Sequence, residues 1–140
     1  MKLTSLALAA ATLLFIADAN AGPPVTVVFK NNATTNANYT IISNNEVATF
    51  VNASPKPAPV VAPGGSNTYV VVSQISPLVN FASLRYRSGI KECQFYTAYV
   101  SGASTPWNST ASGSGGAVCS SRITAINLAT SAWTVEFTMR

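Results

Sequence analysis

The last eight residues carry the cleanest alternation in the chain. Trp133, Val135, Phe137 and Met139 are interleaved with Thr134, Glu136, Thr138 and Arg140. A period of two puts the first set on one face of a strand and the second on the other. The segment therefore reads as a half-buried strand with its apolar side in a core. The same period recurs upstream: Val25, Val27 and Phe29 share a face of a strand over Val25–Lys30. Across Phe81–Arg87, Ala82, Leu84 and Tyr86 oppose Phe81, Ser83, Arg85 and Arg87. Ser88-Gly89 then makes a turn, and Ile90–Val100 returns with Cys93, Phe95, Thr97 and Tyr99 on one face.

Between these segments the pattern is weaker. Tyr39–Ser43 and Val47–Val51 read as two strands joined by a hairpin turn at Asn44-Asn45. Ala53–Pro63 holds Pro55, Pro57, Pro59 and Pro63, and proline cannot donate to a ladder, so an extended crossover or edge segment is expected there. Pro63-Gly64-Gly65 suits a type II turn leading into a buried strand at Thr68–Ser73. Ser101–Gly116 is rich in Gly and Ser and reads as a long loop, followed by a short strand at Arg122–Leu128. No stretch after residue 21 shows a convincing helical stripe. About seven or eight short strands at this spacing predict an all-β fold, a single antiparallel β-sandwich, with a small barrel as the alternative.

Residues 1–21 have the form of a cleaved signal peptide: Lys2, an apolar run over Leu3–Ala17, and Ala19-Asn20-Ala21 before Gly22. A membrane anchor needs about 20 apolar residues, and this run is shorter and ends in Asp18. No cysteine follows it, which argues against a lipoprotein anchor. The short apolar run suits a bacterial exported protein, periplasmic or extracellular, and a eukaryotic secretory leader is the alternative. Residues 22–140 are then the β-sandwich domain. In an exported chain the two cysteines, Cys93 and Cys119, are expected to pair. Closing that loop contributes about 3–4 kcal/mol in the chain-entropy view.

Composition narrows the function. Charged residues make up 9% of the chain, the net charge is +4, and there is no histidine. Losing residues 1–21 removes Lys2 and Asp18 and leaves the balance unchanged, with Glu46, Glu92 and Glu136 as the only acidic side chains. So sparse a charge does not suit nucleic-acid binding. Without histidine there is no ready base near neutral pH and no Ser/His pair. Three carboxylates far apart in sequence make a poor acid/base pair, and two cysteines alone make a poor metal site. Ser88-Gly-Ile-Lys91 falls on a predicted turn, whereas a catalytic Ser-x-x-Lys belongs at a helix start in a much larger fold. The expectation is a non-enzymatic binding protein without metal or cofactor.

Two features are candidate contacts. Arg85, Arg87 and Lys91 cluster at one hairpin tip, where cations can meet anionic head groups or simply stay solvated and protect an edge. Trp107 is the aromatic residue of the Gly/Ser loop, placed to touch a lipid interface, a sugar or a protein, or to fold back as a cap on the core. The partner expected is a lipid or membrane surface, or another cell-surface protein. A structural subunit of a periplasmic or surface assembly is the second possibility, with the C-terminal strand completing a neighbour's sheet. Asn32, Asn38, Asn52 and Asn108 each begin an Asn-x-Ser/Thr sequon.

One run resembles the aegerolysin-type family of small β-sandwich proteins. It comprises Pro57-Ala-Pro-Val-Val-Ala-Pro-Gly-Gly-Ser-Asn-Thr-Tyr69, then Leu84-Arg-Tyr86, Gln94-Phe-Tyr96 and Pro106-Trp-Asn108. The resemblance covers about half of residues 22–140 and implies a lipid-contacting sandwich, working with a pore-forming partner. It departs from the family pattern in its leader, its cysteine pair and its basic charge.

Overall fold

The computed structural model describes residues 19–140, so the leader expected at 1–21 lies almost wholly outside it. The alternating segments form strands as their periodicity requires: β1 (Val25–Asn31), β6 (Val79–Ser88), β7 (Lys91–Val100) and β10 (Trp133–Met139). Around them lie β2 (Ala37–Thr40), β3 (Ala53–Ser54), β4 (Val60–Val61), β5 (Ser66–Val71), β8 (Trp107–Ser114) and β9 (Cys119–Ile126). One helix, α1 (Asn44–Asn52), stands between β2 and β3. The first sheet runs β3-β5-β1-β10-β9 and the second β4-β2-β6-β7-β8. Their inner faces interdigitate as in a sandwich. Phe29 stacks on Tyr86 with centroids 3.5 Å apart, and Phe95 on Phe137 at 4.8 Å.

Four expectations need correction. Ten strands replace seven or eight, because β3 and β4 are two-residue strands in the Pro-rich segment and too short to leave a pattern. The pairing is mixed: β1 and β10 run parallel, with Val25 opposite Trp133 and Asn31 opposite Met139. That neighbourhood joins the two ends of the sandwich sequence, a relation no local pattern encodes. Residues 107–114, expected in a loop, form β8, where Trp107, Ser109 and Ala111 face inward and Ser/Thr alternation hides the period.

The expected hairpin over residues 39–51 is also replaced, by the helix. Ser43 caps it, its hydroxyl accepting from the Glu46 N–H at 3.3 Å, while the Glu46 carboxylate accepts from the N–H groups of Ser43 at 2.9 Å and Ile42 at 2.6 Å. This reciprocal capping box satisfies N–H groups that a helix start leaves orphaned. At the other end Lys56 Nζ donates to the carbonyls of Phe50 and Val51, at 2.9 and 2.6 Å, where a cation is favoured. β2 pairs with β6 only over Arg85–Arg87, so the other half of that edge is open. α1 fills it, Thr49 Oγ1 accepting from the Ser83 N–H at 2.8 Å. The helix thus buries Glu46 and Thr49 and leaves Val47 and Val51 exposed, the reverse of an ordinary surface helix.

Two buried asparagines pin the opposite ends of the sandwich. Asn31 donates to the carbonyls of Thr35 and Val61 and accepts from Ala33. Asn80 donates to the carbonyls of Pro23 and Val71 and accepts from the N–H groups of Ser73 and Phe81. Near Asn80 the chain passes so close that a Cβ on Gly22 would collide with the Val79 carbonyl. The disulfide between Cys93 and Cys119, Cα atoms 5.7 Å apart, joins β7 of the second sheet to β9 of the first.

Candidate functional site

The β6–β7 hairpin brings Arg85, Arg87 and Lys91 to one end of the sandwich, turning at Gly89 with φ of 63°. The basic cluster is largely neutralised there. Arg85 Nε donates to Glu46 Oε1 at 3.0 Å, its Nη1 meets Glu92 Oε1, and Arg87 Nε meets Glu92 Oε2. The Arg85 side chain is only 13% exposed and that of Glu46 is fully buried. Lys91 alone of the three has no carboxylate partner among the described residues. Burial pushes the Glu46 carboxyl up, but the N–H groups of Ser43 and Ile42 and the Arg85 guanidinium outweigh it and hold the carboxyl below its ordinary range. Glu92 is held low by its hydrogen bond to Arg87, with Arg85 adding to it against a smaller effect of burial. The network docks α1 onto the sheet, and only a modest positive charge remains for an anionic surface.

Trp107 lies elsewhere. It pairs with Tyr99 on β7, the rings 5.2 Å apart, and its Nε1 donates to the Ser131 carbonyl at 3.0 Å. It is half-buried against the core, so its ring caps the sandwich. Glu92 pairs with Ser114 at the hairpin end of the same ladder. Seven residues of strand therefore separate the two features, about 24 Å at strand rise. The cations and Trp107, the two candidate contacts, sit at opposite ends of the sandwich.

The end that holds Trp107 has a character of its own. Residues 72–78, 101–106 and 127–132 connect strands there, and the 19–24 segment enters beside them, the Gly22 N–H donating to Ser73 O at 2.8 Å. None of these segments contains a charged residue. They and the strand ends beside them present Ile75 at 83% exposure, Leu128 at 81% and Leu78 at 58%, with Val79 and Val100 paired next to them. The Ser101 N–H donates to Leu78 O, tying two of the connections together. The absence of charge was visible in the sequence; that the segments converge is a product of topology.

Adjoining the 72–78 connection, a concavity of about 540 Å³ lies beside the C-terminus of α1, lined by Val51, Val70 and Val72 with Asn52, Ser54, Lys56 and Gln74 among its polar groups. The Lys56 ammonium is already committed to the helix carbonyls. Glu136 bridges Lys30 at 2.7 Å and Arg122 at 3.4 Å, so all three glutamates among the described residues are ion-paired. No group of three His, Cys, Asp or Glu side chains among the described residues is placed to hold a metal. No helix among them is long and apolar enough to cross a membrane. Compared with models of known protein families and with curated proteins, the chain matches none.

Proposed function

We propose that this is an exported, non-enzymatic binding protein that contacts a lipid surface through the uncharged end of its sandwich. The observation that carries this reading is the convergence of Ile75, Leu78 and Leu128 on charge-free connections at one end. An aliphatic loop tip gains by leaving water for the acyl boundary, whereas a charged side chain beside it would resist the transfer. Trp107, half-buried at the same end, fits an interfacial position. The resemblance to aegerolysin-type proteins points the same way. The hairpin cations serve such a contact less well, because Arg85 and Arg87 are held by glutamates.

Sedimentation with phosphatidylcholine vesicles, with and without anionic lipid, tests the reading. The oxidised protein is expected to pellet with both, and the double variant Ile75→Asp, Leu128→Asp to remain in the supernatant. Failure of the unaltered protein to bind either vesicle refutes the proposal. A subunit role retains one feature in its favour: β9 is an eight-residue edge strand, open to strand addition on its outer side. The C-terminal strand does not serve that purpose, since β10 is paired on both sides within its own chain.

A further inference from the structure

We propose that the outer face of the second sheet, around Phe81 and Tyr96, binds a neutral, hydroxyl-rich polysaccharide. The site is distinct from the lipid contact at the loop end and does not depend on it. Register defines its composition. Phe81 lies opposite Ala98 and Ser83 opposite Tyr96, while Ala98 and Tyr96 face Asn108 and Thr110 on the other side. These residues point away from the core, because Leu84, Phe95 and Thr97, on the alternate positions, are buried within it.

The two rings are nearly parallel, 21° apart with centroids separated by 6.2 Å. Tyr96 is 36% exposed and Phe81 half-buried. Ala98 and Ser83 sit on the same outward rows yet are only 3% and 4% exposed, so neighbouring side chains cover them and make the floor of this face. Exposed amide and hydroxyl groups from Gln94, Asn108 and Thr110 border that floor. The three rows nearest the loop end contain no charge. The first charges beyond them, Arg85 and Glu92, are paired with each other.

This combination selects a chemical class. A phosphate-bearing or acidic ligand needs free cations, and none stands among these rows. A sugar ring presents C–H bonds of slight positive character on its face and hydroxyls around its rim. The first suit the electron-rich faces of Phe81 and Tyr96, and the second the donors and acceptors of Gln94, Asn108 and Thr110. An alkyl chain would gain from the rings but would leave the bordering amides without partners.

Native electrophoresis through gels containing hydroxyethylcellulose, mixed-linkage β-glucan, galactomannan or soluble starch tests the site. The protein is expected to be retarded by at least one of them. Tyr96→Ala should weaken that retention about tenfold, Gln94→Ala a few-fold, and Tyr96→Phe very little. Unfolding midpoints of the variants, followed by tryptophan fluorescence, establish that each is folded. The Ile75→Asp, Leu128→Asp variant should keep its retardation, and Tyr96→Ala should keep its vesicle binding, so the two proposals fail separately. Free passage through all four gels overturns the proposal. So does Tyr96→Ala migrating like the unaltered protein in the retarding gel.

Discussion

Asn80 offers the sharpest test of how this sandwich is held at its uncharged end. Its side chain is completely buried and makes four hydrogen bonds. Nδ2 reaches the carbonyls of Pro23 at 2.7 Å and Val71 at 2.9 Å, and Oδ1 accepts from Ser73 at 3.1 Å and Phe81 at 2.9 Å. One residue thus serves the incoming chain, the end of β5 and the start of β6. A net gain of about 1 kcal/mol per bond, and more for each buried group left unpaired, puts the cost of Asn80→Ala at about 3–5 kcal/mol. Water entering the vacated space keeps the figure below the simple sum. For a domain expected to be stable by roughly 5–15 kcal/mol, that is a large share.

The assay is urea unfolding of the oxidised protein, followed by the fluorescence of Trp107 and Trp133. Asn80→Asp supplies an internal check, because it keeps the size but turns an oxygen toward two carbonyls. A carboxyl buried there without a cation has a raised folded pKa, so its deficit relative to the unaltered protein should grow as pH rises above about 4. A cost below about 1 kcal/mol for Asn80→Ala, with an unchanged denaturant slope, would refute the reasoning.

Three further outcomes follow from the disulfide and the charges. Replacing Cys93 and Cys119 together by Ala should lower stability by about 3.5 kcal/mol, since the bond closes a span of 26 residues, and thermal unfolding with and without reductant measures it. Glu46, Glu92 and Glu136 all have carboxyls held below their ordinary range, so their contribution is complete above about pH 4.3 and is lost as pH falls through their folded values. Unfolding midpoints from neutral to acid pH should show that loss. Glu46→Gln should start about 3 kcal/mol lower at pH 7 and lose less on acidification, because it leaves the Arg85 guanidinium short of a buried partner.

The strands whose inner positions are large and apolar were legible in the sequence. Val25, Val27 and Phe29 in β1, and Trp133 through Met139 in β10, announce themselves by period two alone. β8 did not, because Trp107 is its one large apolar inner residue, with Ser109 and Ala111 following it, and Ser and Thr recur on the outer positions. The helix was misread because its buried face is polar. Val47, Phe50 and Val51 suggest a strand by propensity, and the capping pair Ser43 and Glu46 was the one local signal pointing the other way. The hairpin cations were visible, and so was Glu92 opposite Arg87 in the same hairpin, whose neutralising role was missed; the second partner, Glu46, gave no local signal because it lies 39 residues before Arg85. Trp107 was singled out as a residue with two possible roles, and the register on Tyr99 places it away from the cations.

The position of β10 bears on how the molecule is made. It follows every other described strand in the chain, yet it lies between β1 and β9 and supplies Trp133, Val135, Phe137 and Met139 to the core. Until those residues arrive, β1 has a neighbour on one side only and β9 has none in its sheet. The second sheet, built from hairpins and from β2 and β4, can form earlier, and it already carries Cys93. Cys119 sits where β9 meets both Met139 of β10 and Gly113 of β8. A chain stopped before β10 would therefore leave β1 with an open edge and the core without four of its large side chains, exposed to whatever quality control it meets.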